Sequence, residues 1–453
     1  MLLLLSQGTE THTTCFGLLV HFLMSPEAQL LVQLTGLPDL SVPLGFGSVS
    51  MASLNCLPDE LLVKILSFLP SKPAASTSVL AKRWRTFFAA VGPNLDFDDS
   101  NFFHPEVGEQ DMDDIQESFR SFVDKTLALQ GGAPINKFSL KCGDRHDEVH
   151  VDHWINNALE HGVSELHLRL TDVMRCHFPS NVFVSKTMAK LTLGTEISIV
   201  RVPSVTSLPA VLKTLFLDSV WFDKREFSDV FLAGCPALED LTIDQKSFPG
   251  LPNVVSSKTI RRLTIVYTCA HDVDWFRAVA LDTPSLVSLF YSTYARHRYR
   301  RHCNLDSLIK ATLDLHFLEN VKCGEPFGPN VTNLIYGIRN VKILHLTSSA
   351  AEVILQCCKG GLPVFKNLLD LVFLGNTERV WKVFLPLLLE NSPNLTTLFL
   401  ECQGSDNEMK HISHFLLKRE CLQLVHVNFS ETIVDSKKVQ LTEDLFKLPS
   451  ASS

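Results

Sequence analysis

Positive charge is missing from the start of this chain: the first Lys or Arg in its 453 residues is Lys64. A secretory leader carries basic residues ahead of its apolar run, so the opening MLLLLSQGTE does not read as one. A bilayer span needs roughly 20 apolar residues, whereas the stretch from Cys15 to Met24 is only ten long and contains His21. Metal-type cysteine spacing is missing too. The twelve cysteines are scattered, only Cys357 and Cys358 are adjacent, and no C-x-x-C occurs. That pattern is neither a zinc signature nor a disulfide ladder and fits a reduced setting, cytoplasm and/or nucleus. The net charge of −8 lacks the basic surplus of a general nucleic-acid binder. No P-loop, G-x-G-x-x-G, G-x-S-x-G or H-E-x-x-H is present. The reading is therefore a non-catalytic protein with no cofactor and no membrane.

What is present describes a folded chain. Apolar residues make up 45% and charged residues 20%, the balance of a soluble globular protein. The length exceeds one ordinary core, so several domains or a repeat array is expected. Residues 1–50 differ from the rest and are expected to be a poorly ordered extension or a gene-model artefact, with Met51 as the natural start.

Residues 57–85 read as two short helices with a proline-marked break. Pro58 occupies a first-turn position, and Asp59 and Glu60 follow where the helix dipole favours negative charge. Leu61, Leu62, Ile65, Leu66, Phe68 and Leu69 recur at helical spacing, Pro70 stops the helix, and Pro73 opens a second that ends in Lys82, Arg83, Trp84 and Arg85. So short a hairpin cannot bury this much apolar surface alone; the surface forms the core of a small bundle, and part of it meets a partner. The order Leu57-Pro58-Asp59-Glu60, Ile65 to Pro70, Thr77 to Leu80 and Lys82-Arg83-Trp84 resembles an F-box of the plant type. The resemblance implies that Leu57, Pro58, Leu61, Ile65, Leu69, Val79, Leu80 and Trp84 dock on a Skp-type adaptor, and through it on a cullin.

An acidic connection from Asp96 to Glu117 follows, read as a solvated linker because its carboxylates lack a metal-loop pattern. A helix comes next, with Phe119, Phe122, Val123, Leu127 and Leu129 on one stripe and Gly131-Gly132 at its end. The pattern apolar-x-x-apolar-x-apolar then recurs, as in Val163/Leu166/Leu168, Leu212/Leu215/Leu217 and Leu395/Leu398/Leu400. Copies start 22 to 31 residues apart, one of them weak with only Leu313/Leu315, close to the leucine-rich-repeat interval of about 20–29 residues. Each copy is expected to be one short strand stacked in parallel on its neighbours.

If positions one, four and six face inward, positions three, five and seven line an open face. On that face Phe216, Phe290, Val372 and Phe399 are apolar where a solvated sheet prefers polar groups. They are read as candidates for target binding, with cover by neighbouring loops as the alternative. The segments Cys235 to Leu241, Leu212 to Val220 and Asn391 to Leu395 resemble the plant F-box/leucine-rich-repeat family, and Leu387 to Leu395 resembles the opening of its FBD region. The expected fold class is α/β: a small helical F-box (51–95), an acidic linker and connecting helix (96–132), an irregular leucine-rich-repeat solenoid with a parallel sheet (133–430, FBD-like from about 365) and a divergent tail (431–453).

Two other stretches carry concentrated charge. His146, His150 and His153 lie among Asp144, Asp147 and Asp152, read as a polar turn entering a helix rather than a metal site. Residues 296–302 (RHRYRRH) are a basic cluster read as a solvated interrepeat loop, with phosphate or acidic-partner contact as the alternative. The resemblance implies the substrate-recognition subunit of an SCF-type ubiquitin ligase with an unknown target protein. The alternative is a scaffold that binds a protein or small ligand without ubiquitin transfer.

Overall fold

The structure, a computed structural model, describes residues 94–102, 112–130, 132–143, 147–170, 179–194, 197–199, 202, 208–222, 226–246, 252, 254–268, 279–295, 303–317, 330–358, 360–374, 379–402 and 422–429. The eight adaptor-docking candidates from Leu57 to Trp84, residues 1–50, His146, residues 296–302 and the tail lie outside them. The chain divides into two compact units, Met1–Arg169 and Leu170–Ser453.

The first unit contains strands β1 (Asn94–Asp98), β2 (Lys137–Cys142) and β3 (Glu165–Leu170), neighbours in that order, with β1 and β2 parallel. Strand β1 spans the junction read from sequence as the end of the F-box and the start of the linker; its two inward residues, Leu95 and Phe97, are too short a pattern to stand out. Helix α1 (Met112–Gln130) starts inside the acidic stretch, where Asp113 and Asp114 suit its first turn. Its buried Phe119, Val123 and Leu127 carry out the predicted stripe. Helix α2 (Glu148–Glu160) is capped by Asp147, whose side chain accepts from Val149 N. Trp154 of α2 is buried edge-on to Phe119 and donates its indole N–H to Asp124 Oδ1 at 2.7 Å.

The second unit contains β4 (Lys190–Gly194), β5 (Ser198–Ile199), β6 (Thr214–Asp218), β7 (Trp221–Phe222), β8 (Asp240–Gln245), β9 (Val254–Ser256), β10 (Arg262–Tyr267), β11 (Ala280–Asp282), β12 (Ser288–Tyr294), β13 (Lys310–His316), β14 (Ile343–Thr347), β15 (Asp370–Leu374), β16 (Thr397–Cys402) and β17 (Leu424–Phe429). The order β4-β6-β8-β10-β12-β13-β14-β15-β16-β17 forms one parallel ladder; β5 pairs β7, and β9 pairs β11. The return segments include α3 (Thr332–Gly337), α4 (Ser348–Cys357) and α5 (Leu385–Glu390), the last led in by a π-helical turn Val380–Phe384.

One hydrogen-bond device repeats at every step of this ladder. The carbonyl of position two in each copy accepts two N–H groups from positions two and three of the next. Ala189 O takes Lys213 N at 2.8 Å and Thr214 N at 3.1 Å, and the series runs on to Thr396 O with Gln423 N and Leu424 N. The fork locks the register, so the inward residues stack in rows: Leu215 on Leu241, Leu263 and Leu289, and Leu217 on Ile243, Ile265 and Tyr291. Nearly all are buried. Each fully buried Leu or Ile contributes about 1.5–3 kcal/mol of transfer free energy.

The fork also corrects the weak copy. Ile309 N and Lys310 N share Val287 O, so Leu308, Ala311 and Leu313 occupy positions one, four and six, all buried. Leu313/Leu315 as positions four and six is two residues late. A slip of two keeps every side chain on its own face, and Ala311 disguised the copy by being small.

Candidate functional site: the open face of the second unit's sheet

The locked register draws the outward residues into rows as well. Position five forms one row across ten strands: Thr192, Phe216, Thr242, Thr264, Phe290, Thr312, His345, Val372, Phe399 and His426. At about 4.8 Å per strand it extends roughly 40 Å. All four target-binding candidates lie in it. Phe290 is 38% exposed, and Phe216, Val372 and Phe399 are half-buried. Phe399 stacks on His426, ring centres 4.2 Å apart and planes 5° apart, an edge pair the sequence pattern did not reveal because histidine breaks the apolar signature.

Not every outward position is open. Asp218 and Ser292, at position seven, are buried. They were expected on the exposed face. Asp218 is closed in by the turn that follows β6, where Ser219 adopts φ 55° and donates its N–H to Asp244 O at 2.7 Å. Beyond it, Lys246 Nζ lies 2.8 Å from Asp244 Oδ2 and 3.8 Å from Asp218 Oδ1. A Cβ at Gly194, the β4 residue beside this turn, would come within 3.1 Å of Asp218 Cβ. Close neighbours, not strand alternation, decide burial at this end of the strands.

Asp314 is the hub of the next group. Thr347 Oγ1 and Ser292 Oγ each donate to it at 2.9 Å, Ser349 Oγ donates at 3.3 Å, and His316 Nε2 lies 3.1 Å away. Burial raises the Asp314 pKa, but the hydrogen bonds from Thr347, Ser292 and His316 outweigh it and hold the carboxyl below its ordinary value. In the misread register this residue stood at position five, so its role was hidden. His345, in the middle of the row, is kept below the usual histidine range by burial and by Lys310, against the pull of Asp370. The centre of the row is thus neutral and partly apolar, with aspartates on either side.

Such a face can bind a surface. Among the described residues no cluster of three His, Cys, Asp or Glu side chains is placed to hold a metal ion. Asp147, one of the carboxylates near the histidine group, is occupied as a helix cap. Among the same residues no helix is long and apolar enough to cross a membrane. Burial pushes the Cys235 thiol up to about 12, which leaves it unreactive near neutral pH.

Comparison with known proteins adds the part outside the described residues. A family model described as the F-box domain matches residues 54–94. Another, described as the LRR repeats of FBD-associated F-box protein At5g56370, matches residues 151–347. In Arabidopsis thaliana, putative F-box/LRR-repeat protein At3g44810 is 70% identical, over 90% of this chain and 98% of the relative. Putative F-box/LRR-repeat protein At3g42770 is 54% identical over 88% of this chain and 78% of the relative. F-box/LRR-repeat protein At3g60040 is 39% identical over 88% and 95%.

Proposed function

The chain belongs to the F-box/LRR-repeat family, and from that premise we propose that it is the target-recognition subunit of an SCF-type ubiquitin ligase. One observation carries the reading: a chain with an F-box match at residues 54–94 also has, from Lys190 on, a parallel sheet with a long outward row of Thr, Phe, Val and His side chains, most of them half-exposed. The F-box docks a Skp-type adaptor and thereby a cullin; Leu57, Pro58, Leu61, Ile65, Leu69, Val79, Leu80 and Trp84 supply the docking surface. The sheet holds the target through Phe216, Phe290, Val372 and Phe399. The chain contributes proximity: it raises the effective concentration of a target lysine near the ubiquitin-charged enzyme and supplies no reacting group. Its place of action is the cytoplasm and/or nucleus, which imaging of a fluorescent fusion tests.

The experiment is an adaptor pull-down with the full chain and with Leu57→Ala/Pro58→Ala, followed by target half-life. Loss of adaptor binding together with a longer-lived target supports the ligase. Loss of adaptor binding with unchanged target levels supports a scaffold that transfers no ubiquitin.

A further inference from the structure

The carboxylates of the open face fall into two groups. From β6 to β13 each has a partner. Asp240 is ion-paired to Arg262, Asp244 and Asp218 share Lys246, and Asp314 has His316 Nε2 and three hydroxyl donors against it. On β15 and β16 the pattern stops. Among the described residues the carboxylates of Asp370 and Glu401 make no hydrogen bond and no ion pair. Glu401 is exposed, and Asp370 is half-exposed.

These two carboxylates bracket the apolar part of the face. Val372 lies opposite Phe399, Leu374 lies opposite Glu401, and Asp370 lies opposite Thr397. Leu374 is 40% exposed. Asp370 holds position three and Glu401 position seven. At about 3.3 Å per residue they are separated by roughly 13 Å along the strand direction, with Val372 and Phe399 at the midpoint. An extended chain repeats its same-face side chains every second residue, so residues i and i+4 are also roughly 13 Å apart.

We propose that the target is engaged here through an extended basic-x-apolar-x-basic segment, its apolar side chain on Val372, Leu374 and Phe399 and its two cations on Asp370 and Glu401. The proposal rests on the reading that this face receives the target, and it names the target's chemistry. Upstream carboxylates already have ion-pair or hydrogen-bond partners and offer a further cation less; these two have none among the described residues. A like-charged segment would meet repulsion from both. His345 and His426 flank the apolar pair, and Lys310 lies on β13, two strands from Asp370.

The test is fluorescence anisotropy on the full chain co-purified with its adaptor. Three labelled peptides of equal length are used, centred on Arg-Ser-Leu-Ser-Arg, on the scramble Arg-Arg-Leu-Ser-Ser and on Glu-Ser-Leu-Ser-Glu. The first is expected to bind about tenfold tighter than the scramble and to exceed the acidic peptide further. Asp370→Asn/Glu401→Gln removes most of that preference, whereas Asp240→Asn, at a carboxylate already paired, leaves it within about twofold. Equal binding of all three peptides, no binding by any, or an unchanged preference in the double variant overturns the proposal. Adaptor pull-down by the same preparation is independent of these outcomes, so it separates failure here from failure of the ligase reading.

Discussion

Thr347 and Asp314 join a strand to a helix through one hydroxyl. Thr347 Oγ1 donates to Asp314 Oδ1 at 2.9 Å and accepts from Ala350 N at 3.3 Å, so the side chain that caps α4 is itself pinned to β13. Ser349 Oγ, on the first turn of the same helix, reaches the same carboxylate oxygen at 3.3 Å. A return helix is thereby tied to the neighbouring strand.

Thr347→Val is expected to cost about 0.5–2 kcal/mol, the range for a lost N-cap. Asp314→Ala is expected to cost about 2 kcal/mol, because its donors lose a charged acceptor. The two losses are coupled: a double-mutant cycle in urea gives an interaction of at least about 0.5 kcal/mol, and strict additivity would refute the shared hydroxyl.

The same carboxylate sets an acid limit. Its folded pKa lies below the ordinary 3.8, so its contribution is complete above the unfolded value and is lost as pH falls through the folded one. Urea midpoints between pH 5 and about pH 3 are expected to fall less steeply in Asp314→Asn than in the wild type.

His345 acts in the milder range. Its folded pKa lies below the ordinary 6.5, so the unfolded chain takes up its proton first and stability drops as pH falls below that value. Thermal unfolding between about pH 7.5 and pH 5 is expected to show a shallower slope for His345→Gln; an identical slope would rule out His345 as the source.

Gly337 permits a close approach. A Cβ there would lie 2.7 Å from Cys303 Cβ, so Gly337→Ala must shift α3 and is expected to cost about 1–3 kcal/mol. Gly360, with nothing within 4 Å of an added Cβ, serves as the control, and its alanine variant should unfold with the wild type in urea.

Adjacent residues on β12 separate core from surface. Leu289 is 1% exposed and Phe290 38%. Leu289→Ala is expected to cost about 2–5 kcal/mol, whereas Phe290→Ser changes stability by about 0.5 kcal/mol or less and weakens target association instead. A large stability loss in Phe290→Ser would mean that the ring is packed rather than presented.

Much of this was legible because the repeat is simple. The apolar-x-x-apolar-x-apolar rhythm located most of the strands, and the alternation within it put Phe216, Phe290, Val372 and Phe399 on the outward side. Where the rhythm was weak the reading slipped: Ala311 is small enough to pass unnoticed, and the misnumbered copy hid Asp314. β1 carries only Leu95 and Phe97, too little periodicity to distinguish from a linker. Burial of Asp218 and Ser292 does not show in the alternation: Asp218 is closed in by its own following turn together with Asp244 and Lys246, and Ser292 lies against Asp314 of the next strand.

The chain's own order of residues determined that it forms a repeat-built parallel sheet and that it belongs with the F-box proteins, because both depend on short patterns written along the sequence. Which outward carboxylates have partners and which stand unpaired was decided only by the tertiary structure. Ion pairs such as Arg262 with Asp240, and bonds such as Thr347 with Asp314, join residues 22 and 33 positions apart, and only the forked backbone register brings them within reach.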